Sequence, residues 1–394
     1  MKKKWDERKI SLGNAIIVAA VLTIVGFIFG LNFTNGWGQI APYFGFKNTS
    51  SIDWSPLNEV YETVAASYNG EIDNTKMIEG AKVGMIDALG DIYTTYLDAT
   101  AAKEFQDSLN GKVGSGIGVE IGLRDGYVRV LRTLPDNPAR AAGMLAGDII
   151  YKIDGEEVYM LSTEEISSKL RGETGSEVTV TVVRDGAELS FTMTRETINN
   201  VSAYVEYDGT TAIVTVTRFD SDTGLIVQQF AKDFASKGIN KVILDLRGNG
   251  GGYTSSAQDL LGLWLDGDTA YVQKSVHFGN SVLKAASGHA ILKDMKTVVL
   301  VNGSTASASE IVAGALQDYG KATIVGETTY GKGVVQKLYN LSNATVLKVT
   351  IADWHTPLDR SINKTGITPD IEVKRTYEDI NAMRDPQLDQ AKAI

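Results

Sequence analysis

Residues 299–336 constrain the fold of this chain more than any other part of its sequence. They begin with a short apolar run, continue through a cluster of small hydroxyl residues, and then show helical spacing of apolar residues as far as Tyr319. A second apolar run, residues 322–325, leads into the glycine-rich loop GETTYGKG, which carries Lys332. The pattern predicts a strand–helix–strand unit that returns Lys332 to the end of the sheet where the hydroxyl cluster lies.

The hydroxyl cluster is placed where the first strand turns into the helix, a position suited to nucleophilic chemistry. The free N–H groups and the positive dipole end of a helix N-terminus stabilise a developing anion. A serine is a poor nucleophile unless a base takes its proton. Lys332 is a candidate for that base, because a Ser-Lys pair is a known variant of the Ser-His arrangement.

Two motifs in this stretch resemble those of the carboxyl-terminal processing peptidases, which are also called tail-specific proteases. They are TASASE, whose middle serine is Ser307, and GKGVVQ, which contains Lys332 and Gln336. The resemblance implies a serine-type peptidase in which Ser307 is the nucleophile and Lys332 is the general base. It also implies that Gln336 holds the lysine.

The segment DLRGNGGG, residues 245–252, follows a buried strand, where open α/β sheets place their sites. Glycines let backbone N–H groups approach a substrate closely. By the resemblance, the N–H group of Gly251 or Gly252 and that of Ala308 form the oxyanion hole. Without Ser307 in the chain, a turn that needs glycine only for its shape would be an equal interpretation.

Structural roles compete with the catalytic ones at both main residues. Ser307 and Glu310 fit a capping box, in which the serine only caps its helix. Lys332 must be buried to act as a base, because a free lysine with a pKa of ~10.4 is almost wholly protonated at neutral pH. The alternative is a solvated surface lysine. The three histidines are predicted to be surface or packing residues: His277, His289 and His355.

A second resemblance covers residues 111–197, which look like a PDZ domain. Its strongest signature is PARAAGMLAGDIIYKIDG at residues 138–155, and GSGIGVEI resembles the carboxylate-binding loop. PDZ domains add an extended peptide to a strand edge and bind its C-terminal carboxylate with backbone N–H groups. The predicted peptide-binding residues are Gly116, Ile117, Gly118 and Val119.

Residues 15–31 carry no charge and follow a basic N-terminal segment. A helix of this length nearly crosses a bilayer core, and the positive flank is expected to stay cytoplasmic. A cleaved signal peptide is the alternative, but no small-x-small cleavage site follows the apolar run. The sequence predicts an uncleaved signal anchor in the cytoplasmic membrane of a bacterium, with the catalytic part outside the cytoplasm.

The composition restricts the classes of partner and chemistry. A formal net charge of −10 argues against nucleic acid as a partner. The absence of cysteine excludes disulfides, thiolate catalysis and a lipoprotein anchor. No cofactor or metal site is indicated. The expected partners are protein or peptide substrates with free C-termini and the cytoplasmic membrane, and the resemblance adds a homodimer.

These features predict a multidomain protein with an α/β protease core and a β-rich PDZ domain. The expected segments are a basic tip and signal anchor (1–34), a tether (35–54), a helical region (55–110), the PDZ domain (111–197), the protease core (198–375) and a helical tail (376–394). Two other functions stay open. One is a catalytically silent PDZ protein that only binds tails. The other is an NTP-binding protein, because GETTYGKG nearly matches a P-loop although no Ser or Thr follows its lysine.

Overall fold

A computed structural model describes residues 53–124, 126–161, 163–376, 378–379, 382 and 384–394, together with Thr23. The predicted signal anchor lies outside these residues, apart from Thr23. Over the described residues, no helix is both long and apolar enough to cross a membrane. The chain divides into two units, residues 1–77 and 78–394.

The predicted helical region contains three helices. Helix α1 (Ser55–Ser67) lies in the first unit, begins with a proline in its first turn and has no buried residue. Helix α2 (Asn74–Asp87) begins in the first unit and ends in the second. Helix α3 (Ala99–Leu109) is capped by Asp98, whose side chain accepts a hydrogen bond from the Ala101 N–H at 2.8 Å. The helical prediction for this region is confirmed.

The PDZ region forms a 6-stranded antiparallel sheet with the strand order β3–β4–β5–β7–β8, and β6 pairs with β5. Its strands are β3 (Val119–Arg124), β4 (Tyr127–Thr133), β5 (Ile149–Ile153), β6 (Glu156–Glu157), β7 (Glu177–Arg184) and β8 (Ala187–Thr194). Helices α4 (Pro138–Ala142) and α5 (Thr163–Leu170) accompany the sheet. Asp185 and Gly186, a residue pair typical of hairpin turns, join β7 to β8 with φ of 52° and 78°. Two positive φ values are typical of the type I′ turn that suits strand twist.

A short ribbon links the PDZ region to the rest of its unit. Strand β2 (Lys112–Gly116) precedes the PDZ sheet in the chain and β9 (Glu196–Asn199) follows it. The two strands pair antiparallel with each other. Entry and exit of the PDZ region are therefore held side by side.

The protease core is built on a 6-stranded sheet with the order β10–β11–β12–β15–β16–β19. Its strands are β10 (Ala203–Asp208), β11 (Thr211–Val216), β12 (Lys241–Asp245), β15 (Lys296–Val301), β16 (Thr323–Gly326) and β19 (Ile371–Glu372). All neighbours from β11 to β19 are parallel, and β10 is antiparallel to β11. Parallel strands buried on both faces have continuous apolar sequences, so these strands can be recognised from the sequence.

Helices cover both faces of this sheet. Helices α6 (Thr223–Phe234), α7 (Thr254–Leu265) and α8 (Ala308–Asp318) contribute to the main core on one face. On the other face, α9 (Pro386–Ala393) places Ala391 and Leu388 against residues such as Ile243 and Leu300. The predicted helix after Ser307 and the predicted short terminal helix are both present.

A second, 5-stranded antiparallel sheet completes the unit, with the order β1–β18–β13–β14 and β17 paired to β18. Its strands are β1 (Thr95–Leu97), β13 (Thr269–Lys274), β14 (Ser281–Lys284), β17 (Val334–Asn340) and β18 (Val346–His355). Strand β17 starts just after the glycine-rich loop of Lys332. A P-loop must lead into a helix, so this strand removes the NTP-binding alternative.

Candidate active site

Ser307 occupies a sharp turn between β15 and α8. Its backbone has φ 58° and ψ −119°, a conformation that residues other than glycine rarely adopt. The turn is anchored from below by the buried Thr305, whose hydroxyl donates to the Leu246 carbonyl at 2.9 Å. Strained residues of this kind persist where the surrounding structure holds them, and they concentrate at functional sites.

Ser307 and Glu310 make both contacts of a capping box, although the serine hydroxyl makes no separate cap hydrogen bond. The Ser307 N–H donates to Glu310 Oε2 at 2.8 Å, which is the glutamate half of a capping box. The serine hydroxyl lies near the Glu310 N–H, but that N–H donates to the Ser307 carbonyl at 2.8 Å. An N-cap residue normally has extended backbone, which Ser307 lacks. The backbone of Ser307 therefore departs from that of an ordinary N-cap, even though the capping-box contacts are present.

The Glu310 carboxylate binds both halves of the predicted catalytic pair. It is fully buried and accepts four hydrogen bonds. Two reach Oε2, from the N–H groups of Ser307 at 2.8 Å and Lys332 at 2.9 Å. Two reach Oε1, from the Thr329 hydroxyl at 2.5 Å and the Gly331 N–H at 2.7 Å. One side chain thus fixes the serine turn to the lysine loop.

The Lys332 loop is held from its other side by Trp354. The buried indole of Trp354 donates to the Lys332 carbonyl at 3.0 Å, and the Trp354 N–H donates to the Gly333 carbonyl at 2.9 Å. The backbone of Lys332 is therefore bound at both its N–H and its carbonyl, which limits where its side chain can point.

The Lys332 side chain is mostly buried and lies over an aromatic ring. Its Nζ is 5.2 Å from the centroid of the Tyr93 ring. Within the described part of the chain, no carboxylate comes within 4.0 Å of this Nζ. Burial lowers the pKa of the Lys332 ammonium, the Lys348 cation lowers it further, and the Glu310 carboxylate opposes both. The surroundings therefore favour the neutral amine that a general base requires.

Gln336 makes a different contact from the one expected. Its amide donates to the carbonyl of Tyr93, and no hydrogen bond to Lys332 occurs among the residues that the structure describes. Tyr93 is the residue whose ring lies beneath the Lys332 ammonium. In this structure Gln336 therefore touches the lysine's neighbour, and a direct role in holding the lysine stays a prediction.

The glycine loop packs directly against the serine turn. A Cβ placed on Gly251 (φ 102°) would lie 2.8 Å from Ser307 Cβ and 3.1 Å from the Ala308 nitrogen. Asn249 holds the loop, because its backbone carbonyl accepts from the Ala306 N–H at 3.0 Å. Only glycine at position 251 leaves the space in front of the Ala308 N–H open.

The two glycine candidates for the oxyanion hole are not equivalent. The Gly251 N–H already donates to Asn249 Oδ1 at 2.9 Å. Among the described residues, neither the Gly252 N–H nor the Ala308 N–H has a hydrogen-bond partner. A residue other than glycine cannot replace Gly252, because a Cβ there would lie 2.0 Å from the Phe219 carbonyl oxygen. In this structure Gly252 and Ala308 supply the free donors.

A cavity of about 610 Å³ brings the predicted residues together. Its lining includes Ser307, Lys332, Gln336, Gly251 and Gly252. None of the three histidines lines it, and His355 instead pairs with Asp359, with 2.9 Å between Nδ1 and the carboxylate. A Ser-His arrangement is therefore not formed at this cavity.

The PDZ region has its own groove, of about 300 Å³. It is lined by the four predicted residues Gly116, Ile117, Gly118 and Val119, with the helix residue Leu170 on the opposite wall. Among the described strands, β3 pairs with β4 alone, so its other edge is open toward the groove. An open edge beside a helix is the geometry that accepts an added peptide strand.

Sequence reasoning missed four residues in or around this cavity. Arg218 and Lys348 line it, Tyr93 lies beneath the Lys332 side chain, and Asn249 holds the glycine loop. Lys348 carried a weak signal, since alternation along β18 places it on the same strand face as the buried Ala352 and Trp354. Tyr93 carried none, because only the pairing of β1 with β18 brings it to the site.

Comparisons with known proteins agree with the geometry of this cavity. The sequence matches Peptidase family S41 over residues 210–373, a PDZ domain over 129–184 and the activating protease CtpB N-terminal domain over 45–101. It is 30% identical over 389 residues to a probable CtpA-like serine protease of Staphylococcus aureus (strain MSSA476), covering 97% of this chain and 75% of that protein. The chain belongs to the carboxyl-terminal processing peptidases of family S41. It is accordingly a serine-type peptidase with a PDZ domain.

Further members of the family share this similarity. The carboxy-terminal processing protease CtpA of Bacillus subtilis (strain 168) is 30% identical over 371 residues, covering 93% of this chain and 78% of that protein. The solved photosystem II D1 C-terminal processing protease is 29% identical, with a TM-score of 0.53 over 82% of this chain and 87% of that one. A putative S41 protease from Bacteroides fragilis NCTC 9343, 18% identical with a TM-score of 0.56 over 77% of this chain and 86% of that one, shares the fold.

Proposed function

We propose that this S41 peptidase hydrolyses peptide bonds with Ser307 as nucleophile and Lys332 as general base. The observation that carries the proposal is the Glu310 carboxylate, which accepts hydrogen bonds from the backbone N–H groups of both residues. A shared buried acceptor holds nucleophile and base at the same cavity. Preorganised geometry of this kind supplies a large part of enzymatic rate enhancement.

The reaction follows from the groups at the cavity. Neutral Lys332 Nζ accepts the Ser307 hydroxyl proton as Oγ bonds to the scissile carbonyl carbon. The Ala308 N–H and the Gly252 N–H, or the Gly251 N–H if it releases Asn249, stabilise the oxyanion. The Lys332 ammonium then protonates the leaving amine, which departs and leaves an acyl-enzyme. A water molecule, deprotonated by Lys332, hydrolyses this ester and restores Ser307.

The PDZ groove supports recognition of substrate C-termini. The backbone of residues 116–119 lines the groove beside the open edge of β3, where a tail can pair as an extra strand. Apolar walls at Ile117, Leu134 and Leu170 suit an apolar last side chain. The proposed enzyme is thus an endopeptidase that selects proteins by their tails.

Membrane attachment and self-association complete the proposal. The uncharged residues 15–31 behind a basic segment support a single-pass signal anchor in the cytoplasmic membrane of a bacterium, with the catalytic part extracytoplasmic. Exposed apolar side chains on α1, such as Leu57 and Val60, support a homodimer. Fractionation of tagged cells tests the anchor, and a full chain found in the soluble fraction would contradict it. Analytical ultracentrifugation tests the dimer, and a monomeric full chain would contradict that.

Incubation with an unstructured protein at neutral pH tests the proposed chemistry. Wild type should fragment the substrate, and Ser307→Ala should not. Ser304→Ala is the matched control, because Ser304 is an exposed serine just before the TASASE motif, and it should retain turnover. Cleavage by Ser307→Ala would place the nucleophile elsewhere. Tail binding without cleavage by wild type would favour a silent PDZ protein.

Tail recognition has a separate test with a matched pair of peptides that differ only in a free or an amidated C-terminus. The carboxylate can accept charge-assisted hydrogen bonds worth roughly 1.5–3 kcal/mol each from the groove's N–H groups. Amidation should therefore lower kcat/KM by about tenfold or more. Equal rates would mean that the PDZ domain does not bind the terminus.

A further inference from the structure

The catalytic cavity has an unbalanced charge. Three basic residues besides Lys332 line it, namely Arg218, Lys337 and Lys348. No aspartate or glutamate lines it within the described part of the chain. The whole chain carries a net charge of −10, so this lining is opposite in sign to the protein as a whole.

The protein itself neutralises little of this charge. Arg218 is the exception, since its Nη2 binds Asp220 at 2.8 Å, and even there Nε and Nη1 have no partner in the described structure. Lys348 is half-buried, yet its side chain has no carboxylate partner among the described residues and lies over the Phe105 ring, with 5.2 Å from Nζ to the centroid. Lys337 likewise lies over an aromatic ring, that of Tyr339, and has no carboxylate partner in the described part of the chain. A half-buried cation in a cleft without a counter-ion marks a candidate binding group.

Strand register places Lys348 beside Gln336, which lines the same cavity. In the pairing of β17 with β18, Gln336 is opposite Thr350 and Leu338 is opposite Lys348. Positions 348 and 350 share a face of their strand, because side chains alternate. Lys348 therefore lies diagonally across from Gln336, on the same face of the sheet. It is on β18, which pairs with β17 on one side and with β1, through Thr95, on the other.

From this arrangement, and resting on the proposed peptidase function, we propose that Lys348 is a specificity-determining residue that binds an acidic side chain flanking the scissile bond of the substrate. The C-terminal carboxylate of the substrate is bound elsewhere, in the PDZ groove, so the carboxylate at this cavity comes from an Asp or Glu side chain. Unlike the PDZ preference, this one concerns the residues next to the cleaved bond.

Isosteric peptides test the proposal on the full chain. A peptide cleaved by wild type is resynthesised with Glu, and in parallel with Gln, at each position flanking the scissile bond. At one or more positions the Glu peptide should have a kcat/KM about ten- to a hundredfold higher, the effect of one charge-assisted contact. Lys348→Met should bring this ratio to near one. The exposed Lys284→Met, on the same sheet, should leave it unchanged.

The ratio separates substrate binding from an effect on the base. The Lys348 cation also lowers the pKa of Lys332, and such an effect changes the rates of both peptides alike. A Glu-to-Gln ratio of one in wild type, or an unaltered ratio in Lys348→Met, would overturn the proposal. The preference should also shrink as ionic strength rises.

A binding measurement keeps this inference separate from the catalytic proposal. Fluorescent Glu and Gln peptides are titrated with the full chain carrying Ser307→Ala. The titration is repeated with a double variant that carries both Ser307→Ala and Lys348→Met. The inference is supported if the Glu peptide binds more tightly than the Gln peptide and Lys348→Met abolishes that difference, even if wild type cleaves nothing. Equal binding of the two peptides contradicts it, whatever the outcome for cleavage.

Discussion

Replacing Glu310 with alanine would remove the acceptor of three backbone N–H groups, those of Ser307, Gly331 and Lys332. The site is fully buried, so bulk water does not reach the donors that lose their acceptor. Each buried donor left without a partner costs about 1–3 kcal/mol. Three of them cost about 3–9 kcal/mol, comparable with the ~5–15 kcal/mol that stabilises a whole domain. We expect Glu310→Ala to be inactive and strongly destabilised.

Glutamine at position 310 should do far less damage. Its amide oxygen can take the place of Oε2 and keep the bonds to the Ser307 and Lys332 N–H groups. The amide NH₂ then faces the Gly331 N–H and the Thr329 hydroxyl. The hydroxyl can turn to accept, so one backbone donor is orphaned, at about 1–3 kcal/mol. Reduced but measurable turnover should remain.

The assay combines urea unfolding with kcat/KM on one peptide. Ser309→Ala is the control on the same helix, because its buried hydroxyl makes a single bond, to the Asn249 carbonyl at 3.0 Å. That carbonyl also accepts from the Ala306 N–H, so Ser309→Ala should cost only about 0.5–1.5 kcal/mol and stay active. If Glu310→Ala were as stable and as active as Ser309→Ala, the carboxylate would not hold the site together.

Two further predictions concern Lys332 and the glycine loop. The pKa of Lys332 is lowered in the folded state, so its charge destabilises the fold fully below that pKa and ceases to do so above the unfolded value of ~10.4. Lys332→Met should therefore raise the urea midpoint of unfolding at mildly acidic pH, and this gain should shrink toward alkaline pH. The exposed Lys284→Met is the control and should show no such trend. A gain for Lys332→Met that does not change with pH would refute the argument. Gly251→Ala should lower kcat/KM by about a hundredfold or more, since its Cβ would crowd Ser307 and the Ala308 N–H. Gly250→Ala, whose Cβ meets nothing within 4 Å, should remain active, and equal activity of the two variants would contradict the assigned oxyanion site.

Local patterns predicted the parts of this molecule that depend on neighbouring residues. The apolar run of β15, the turn at Ser307 and the helical spacing of α8 all follow from short-range rules. The hairpin at Asp185 and Gly186 did as well, because few residues other than these types adopt its two positive φ values.

Contacts between distant segments escaped the sequence. Gln336 was expected to bind Lys332, its near neighbour, but its amide reaches the carbonyl of Tyr93, 243 positions away. The Glu310 residue was visible only as one half of a capping box, and its bonds to Gly331 and Lys332 depend on how the lysine loop folds back. Strand register between β1 and β18 and the path of that loop set these contacts, and neither leaves a periodic signal in the chain.

The pH dependence of kcat/KM for wild type beside Lys332→Arg tests the Ser-Lys mechanism most directly. For wild type, the rate should rise along an acidic limb as the Lys332 ammonium deprotonates, at a pH below that of an ordinary lysine because burial lowers its pKa. Arginine keeps the charge but effectively never deprotonates, so Lys332→Arg should be as inactive as Lys332→Ala at every pH. An active arginine variant, or a wild-type rate with no acidic limb, would contradict Lys332 as the base.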